Sequence, residues 1–133
     1  MANPNIVAVA SIYGETTFYT PSGTTSVILL QNLSSNDEVL KVNQIVAANV
    51  DGSSAVNVSV DIYSNGGVAQ GSAPSSGTAY PIVSTISVPA DASLIVADKT
   101  TAIYLMPDQS IAVTSGTASK ITYTISYERI KST

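Results

Sequence analysis

Histidine, cysteine and tryptophan are absent from the 133 residues, and phenylalanine occurs once, as Phe18. Without histidine, the one side chain that titrates near neutrality is missing; without cysteine, so are thiol nucleophiles. Together the two absences exclude zinc, copper and iron–sulfur sites, which are built from imidazoles and thiolates. Basic residues are scarce too: five Lys and Arg face nine Asp and Glu, and Arg129 is the one arginine. Nothing neutralises a run of phosphates and no tryptophan offers a stacking platform, which argues against nucleic-acid binding. The longest unbroken apolar stretches, such as Val27–Leu30, fall far short of the roughly 20 residues a membrane-crossing helix needs. Met1 to Ala10 has no basic stretch and too short an apolar run for a signal peptide, so the chain is expected to be made in the cytosol. The lack of cysteine leaves the compartment open, because a chain of this length buries roughly two-thirds of its unfolded surface and folds without disulfides.

What is present is β-branched and hydroxylated. Serine (20) and threonine (14) supply the polarity that charged residues, only 11% of the chain, do not. With 15 Val, 13 Ile and 14 Thr, nearly a third of the residues are stiff at χ1 and pack well on a pleated surface. The composition points to a single all-β domain over residues 1–133.

Period-2 alternation is the strongest local signal. Val56, Val58, Val60 and Ile62 alternate with polar neighbours, as do Ile121, Tyr123, Ile125 and Tyr127; Ile82, Ser84, Ile86 and Val88 do so more weakly. Short apolar runs add Ile6–Tyr13, Thr25–Gln31, Val39–Ala48, Leu94–Ala97, Ala102–Met106 and Ile111–Thr114. About nine short strands at this spacing predict an antiparallel β-sandwich, of jelly-roll or immunoglobulin-like type. Thr20-Pro21-Ser22-Gly23 and Asn49-Val50-Asp51-Gly52 carry turn chemistry. Pro89 and Pro107 mark strand ends. Asn65–Thr78, rich in Gly, Ser and Ala, reads as one long loop, mobile or ordered by a partner. With Lys41 the one basic residue before position 99, the strand edges carry few charges to discourage edge-to-edge pairing, and a homo-oligomer is expected.

Each candidate site has a plainer competitor. Asp91, Asp98 and Asp108, with Glu128 after them, could ligate Ca²⁺ through oxygen if their loops converged, but their spacing matches no calcium loop and each Asp sits where a turn needs a cap. A glycosidase needs two carboxylates across a cleft, and nothing sets a serine beside Lys99 or Lys120 on a strained elbow. Tyr123 and Tyr127 share the apolar face of the last strand and read as core. Tyr13, Phe18 and Tyr19 surround the first turn, where an aromatic patch would serve either a subunit contact or a sugar.

From residue 88 onward the order of parts is distinctive. Val88-Pro89-Ala90-Asp91-Ala92-Ser93-Leu94 leads to Lys99, then Ala102-Ile103-Tyr104-Leu105, Pro107-Asp108-Gln109-Ser110-Ile111-Ala112-Val113 and a closing Ile125-Ser126-Tyr127-Glu128-Arg129-Ile130. This pattern resembles small β-sandwich virion proteins of tailed bacteriophages, including those of marine cyanophages; Ile12-Tyr13-Gly14 and Asn49–Gly52 fit more loosely. Pro107 stands where those proteins usually have Gly, and Arg129 where they have a second acid, which read as local turn and surface changes.

The resemblance implies a non-enzymatic structural component of a phage particle, assembled in the host cytoplasm. The first expectation is a head decoration or cement protein whose partner is the major capsid protein or another virion protein. A neck, tail or fibre subunit is the alternative, and a carbohydrate-binding adhesion module a further one. Neither cofactor, metal nor catalytic residue is assigned, and neither nucleic acid nor membrane is expected as a partner. The expected contact residues are the N-terminal segment Ala2, Asn3, Pro4, Asn5 and Ile6, the aromatic group Tyr13, Phe18 and Tyr19, and Gly66, Gly67 and Val68 of the long loop.

Overall fold

A computed structural model describes residues 7–131. Its strands are β1 (Ser11–Tyr19), β2 (Val27–Asn32), β3 (Glu38–Asn49), β4 (Val56–Tyr63), β5 (Ala79–Val88), β6 (Ser93–Ala97), β7 (Ile103–Leu105), β8 (Gln109–Ser115) and β9 (Ile121–Lys131). Single helical turns at Ser34–Asn36 and Lys99–Thr101 are the other regular elements. One sheet runs β1-β9-β3-β6 with β7 also on β3; the other runs β2-β8-β4-β5. All pairings are antiparallel. At each position across the sandwich the facing strands are sequence neighbours: β1 with β2, β9 with β8, β3 with β4, β6 with β5. A long two-armed ribbon wrapped on itself produces that order, so the jelly-roll alternative holds and the immunoglobulin-like one does not.

The alternation read in β9 is realised. Ile121, Tyr123, Ile125 and Tyr127 are buried between the sheets, while Thr122, Thr124, Ser126 and Glu128 look outward. The Tyr123 hydroxyl donates to Thr114 O at 2.7 Å, and burial pushes its pKa up to about 12. In β4, Val56, Val58 and Val60 enter the core with Leu29, Leu40, Val42, Ile45, Ile111 and Val113 from neighbouring strands. Two buried asparagines latch the loops at the sandwich ends. Asn32 Nδ2 donates to Glu38 O (2.9 Å) and Leu105 O (3.0 Å), and Asn49 Nδ2 to Ser54 O and Val88 O (3.0 Å each).

Two expectations are corrected. The apolar run Ile6–Tyr13 predicts the first strand, but β1 is the more polar Ser11–Tyr19. As an edge strand it is selected by its pairing with β9, from Ser11 opposite Lys131 to Tyr19 opposite Tyr123, and needs no continuous apolar run. The segment 65–78 is ordered by its own chain. It leaves β4, lays Val68 over Ile28, Tyr63 and Ala112, and reaches the free edge of β2. There Gly71 N donates to Ile28 O (2.8 Å) and Ile28 N to Ser72 O (2.9 Å). This cover explains why Ile28, Leu29 and Leu30, and likewise Ile111, Ala112 and Val113, are buried consecutively: both faces of β2 and β8 are covered.

Candidate functional site

The two seams of the sandwich, where edges of opposite sheets meet, differ in chemistry. Along β1 and β2 the seam is closed by the 65–78 strap. Gln70 Nε2 donates to Leu29 O (2.9 Å) and to Thr17 Oγ1 (3.1 Å), tying both sheets together. Gly66 N donates to Asp108 Oδ1 (3.0 Å), and Ser110 Oγ to Asn65 O (2.8 Å). Gly66 is placed by close approach: a Cβ there would lie 2.1 Å from Asn32 O and 2.9 Å from Asp108 Cα. Tyr19 packs its hydroxyl against Gly71, which has φ +87° and no room for a side chain in that direction.

Charges gather at the lower end of this seam. Arg129 on β9 donates through Nε to Glu15 on β1 and through Nη1 to Glu38 at the start of β3. Lys131 Nζ lies 3.8 Å from the other oxygen of Glu38, which is fully buried, and the guanidinium sits 5.9 Å from the Tyr127 ring centroid. Hydrogen bonding to Arg129 holds the Glu15 carboxyl below its ordinary value; burial raises the Tyr127 hydroxyl, and the neighbouring Glu15 adds to it. A buried carboxylate this close to a guanidinium is an internal strut, because it needs its partner to offset desolvation. Arg129, read from sequence as a surface change, is the hub of this group. Nothing in the local sequence of Glu38 or Asn32 distinguishes a buried polar residue at a strand end from an exposed one.

The late acids are used in turns. Asp98 caps the single turn 99–101, accepting from Thr100 N (2.9 Å) and Thr100 Oγ1 (2.5 Å), and these bonds lower its carboxyl pKa. Asp108 takes the Gly66 amide, and both Asp91 (φ 57°) and Asp108 (φ 64°) adopt the left-handed turn conformation. Glu128 stands on the outer face of β9 opposite Lys41. Among the described residues no three Asp or Glu are grouped to hold a metal ion.

The residues expected at an interface are dispersed. Ala2, Asn3, Pro4, Asn5 and Ile6 lie outside the described residues. Tyr13 and Phe18 are exposed (56% and 63%) but have opposite parity along β1, so they stand on opposite faces, and Tyr19 is half-buried beneath the strap. One aromatic patch of the three is therefore not formed. Gly66 is buried and Val68 is half-buried over Ile28; of the loop trio, Gly67 alone is exposed.

The opposite seam carries an uncharged edge strand. From Ile62 to Ala90 the chain has no charged residue. Within that span β5 is an edge strand paired with β4 alone. Val88 is its one buried residue, and Tyr80 (59%) and Ile86 (41%) stand out from it. Pro81 and a bulge at Thr85 (φ 54°) interrupt the edge; Thr85 N donates to Ser59 Oγ at 2.9 Å. Beside β5, Asp61 on β4 lies opposite Pro81 and has its pKa raised by burial. No protein-family model matches the chain, and no curated protein is significantly similar to it.

Proposed function

We propose that the chain is a non-enzymatic structural subunit of a tailed-phage particle, first of all a head decoration protein that bridges capsid subunits. The observation carrying this reading is β5, an edge strand with no charged residue, exposed at Ala79–Pro81 and Ser84–Ser87. A monomer in solution is normally protected by edge charges, and this edge has none. A surface of Ser, Thr, Ala and Ile desolvates cheaply against another protein. Pro81 and the Thr85 bulge discourage open-ended strand addition, so contact runs through the projecting Tyr80 and Ile86 and stays limited in extent. The resemblance of residues 88–130 to phage virion proteins supplies the setting, with the major capsid protein or another virion protein as partner and the virion as location.

The mechanism is linkage: a subunit that binds only the assembled shell favours that shell, and repetition over the lattice adds avidity. A homo-oligomer presenting several β5 edges would engage neighbouring capsid subunits at once. The test is the copy number of this chain relative to the major capsid protein, by quantitative mass spectrometry of purified particles. Comparable numbers are expected. A count of a dozen or fewer would replace head decoration with a neck, tail or fibre role, and absence from the particle would overturn the virion reading.

A further inference from the structure

The outer face of the β1-β9-β3-β6 sheet carries a trough that the structural role does not use. Its geometry follows from the strand register. Thr16, Ser126 and Gln44 are neighbours in one row across β1, β9 and β3, and Thr16 Oγ1 and Ser126 Oγ are 3.0 Å apart. The next row on one side is Phe18, Thr124, Val46 and Ile95. On the other side it is Gly14, Glu128, Lys41 and Tyr104. Thr16, Ser126 and Gln44 thus lie between two rows bearing the exposed side chains Phe18 (63%), Ile95 (59%) and Tyr104 (44%).

Two irregularities deepen this row. The register of β3 shifts between Val42 and Gln44, making Asn43 an extra, bulged residue. Opposite the bulge β6 has ended at Ala97 and β7 has not begun, so the turn Lys99–Thr101 arches away and leaves a notch. Depressions of about 530 and 280 Å³ result, and both are lined by Asn43 and Ser126, so they form one trough from Gly14 to Thr100. At the usual strand spacing it is about 15 Å long, with the flanking rows about 14 Å apart.

The donor set identifies the ligand class. The side chains of Asn43 and Gln44 make no hydrogen bond among the described residues, while the Asp98 carboxylate is held by Thr100. Amides and hydroxyls both donate and accept, as sugar hydroxyls do, and no cluster of one charge favours an ionic ligand. Exposed aromatic rings at the rim offer flat apolar faces to sugar rings. An extended peptide is less suited, because β1, β9 and β3 are already paired along the floor except at the notch, leaving little backbone for strand addition. We infer that this trough is a binding site for a linear chain of neutral sugars. It is independent of the β5 surface and of any place in a particle.

The test is affinity electrophoresis of the full chain through gels containing a soluble mixed-linkage β-glucan, a galactomannan or a dextran. At least one should retard it, with a Kd of about 1 mM or tighter. Gly14→Leu is the discriminating variant: a Cβ there meets nothing within 4 Å, so the side chain fills the trough without straining the strand. It should weaken binding about tenfold or more. Asn43→Ala with Gln44→Ala should do the same, and Tyr80→Ala on the opposite sheet should leave binding unchanged. Unaltered thermal unfolding of each variant keeps the comparison clean. Migration unaffected by all three polysaccharides overturns the inference, as does retardation that Gly14→Leu leaves intact. Gly14-dependent capture of peptides from a random library, without sugar binding, reassigns the trough to peptides.

Discussion

The two seams of this sandwich are built on opposite principles. The β1–β2 seam has a strap across it, the ion pairs of Arg129 and Lys131 with Glu15 and Glu38 at its lower end, and Gln70 bonded to both sheets. On the other side, β5 carries no charged residue from Ala79 to Val88, and none of the described residues covers its outer edge. The first seam is tied together within the chain: its strap is bonded to both sheets, and its buried carboxylate is paired with Arg129. The second keeps side chains in solvent at a position where nothing internal holds them. If association runs through β5 as proposed, substitutions should separate cleanly into those that unfold the molecule and those that only detach it.

The largest expected effect is at Arg129. Arg129→Ala leaves the fully buried Glu38 without its guanidinium and should cost about 3–5 kcal/mol, read from urea unfolding. Replacing both partners with apolar residues, Arg129→Met with Glu38→Leu, should recover most of that loss. Gly66→Ala comes next, because its Cβ would collide with the Asn32 carbonyl; a loss of about 3 kcal/mol is expected, with the strap lifted. Amide exchange at Gly71 and Ile28 would report the lifting, since their strap bonds would open. An unchanged exchange rate there would remove the strap from the account of that seam.

Glu15→Gln should be far milder, about 0.5 kcal/mol or less at neutral pH, because Glu15 is exposed. Its sign is defined. The Glu15 pKa is lowered in the folded chain, so its contribution is present above the ordinary value of 4.5 and is lost as pH falls through the lowered one. Stability measured across that acid range should therefore fall less steeply in Glu15→Gln than in the wild type. Smallest of all is Ser84→Lys in the exposed β5 edge, within about 0.5 kcal/mol of wild type on unfolding. Its effect should appear in assembly instead, as reduced occupancy of the particle. Full occupancy would detach the β5 surface from the proposed role.

The legible parts of the fold were those where one physical effect dominates. In β4 and β9 the alternation of Val, Ile and Tyr with polar residues reports one face in the core, and both strands lie where that pattern put them. Consecutive burial in β2 and β8 was ambiguous, because an apolar run does not say what covers its second face, and here the cover is a segment that composition alone presents as a loose loop. β1 was displaced because an edge strand owes its position to a partner more than 100 residues away. The trough was invisible for a similar reason. Gly14, Asn43, Lys99 and Ser126 come from distant points of the chain and become neighbours only through register, a bulge and the gap between β6 and β7. Of the expected contact residues, Phe18 stands one row away from it.

The pairing of Ser11 with Lys131 has a consequence in time. The partner of β1 is the last strand, separated from it by 120 positions (131 − 11). At about 5–20 residues per second of synthesis, β1 waits roughly 6–24 s on the ribosome before the strand that holds it exists. β2 waits similarly for β8, and β3 for β9, so the nascent chain carries several unsatisfied edges with few charges to keep them apart. Yield during rapid overproduction should accordingly be limited by aggregation of incomplete or newly released chains, and improve when cooler growth thins the crowd of unfinished ones.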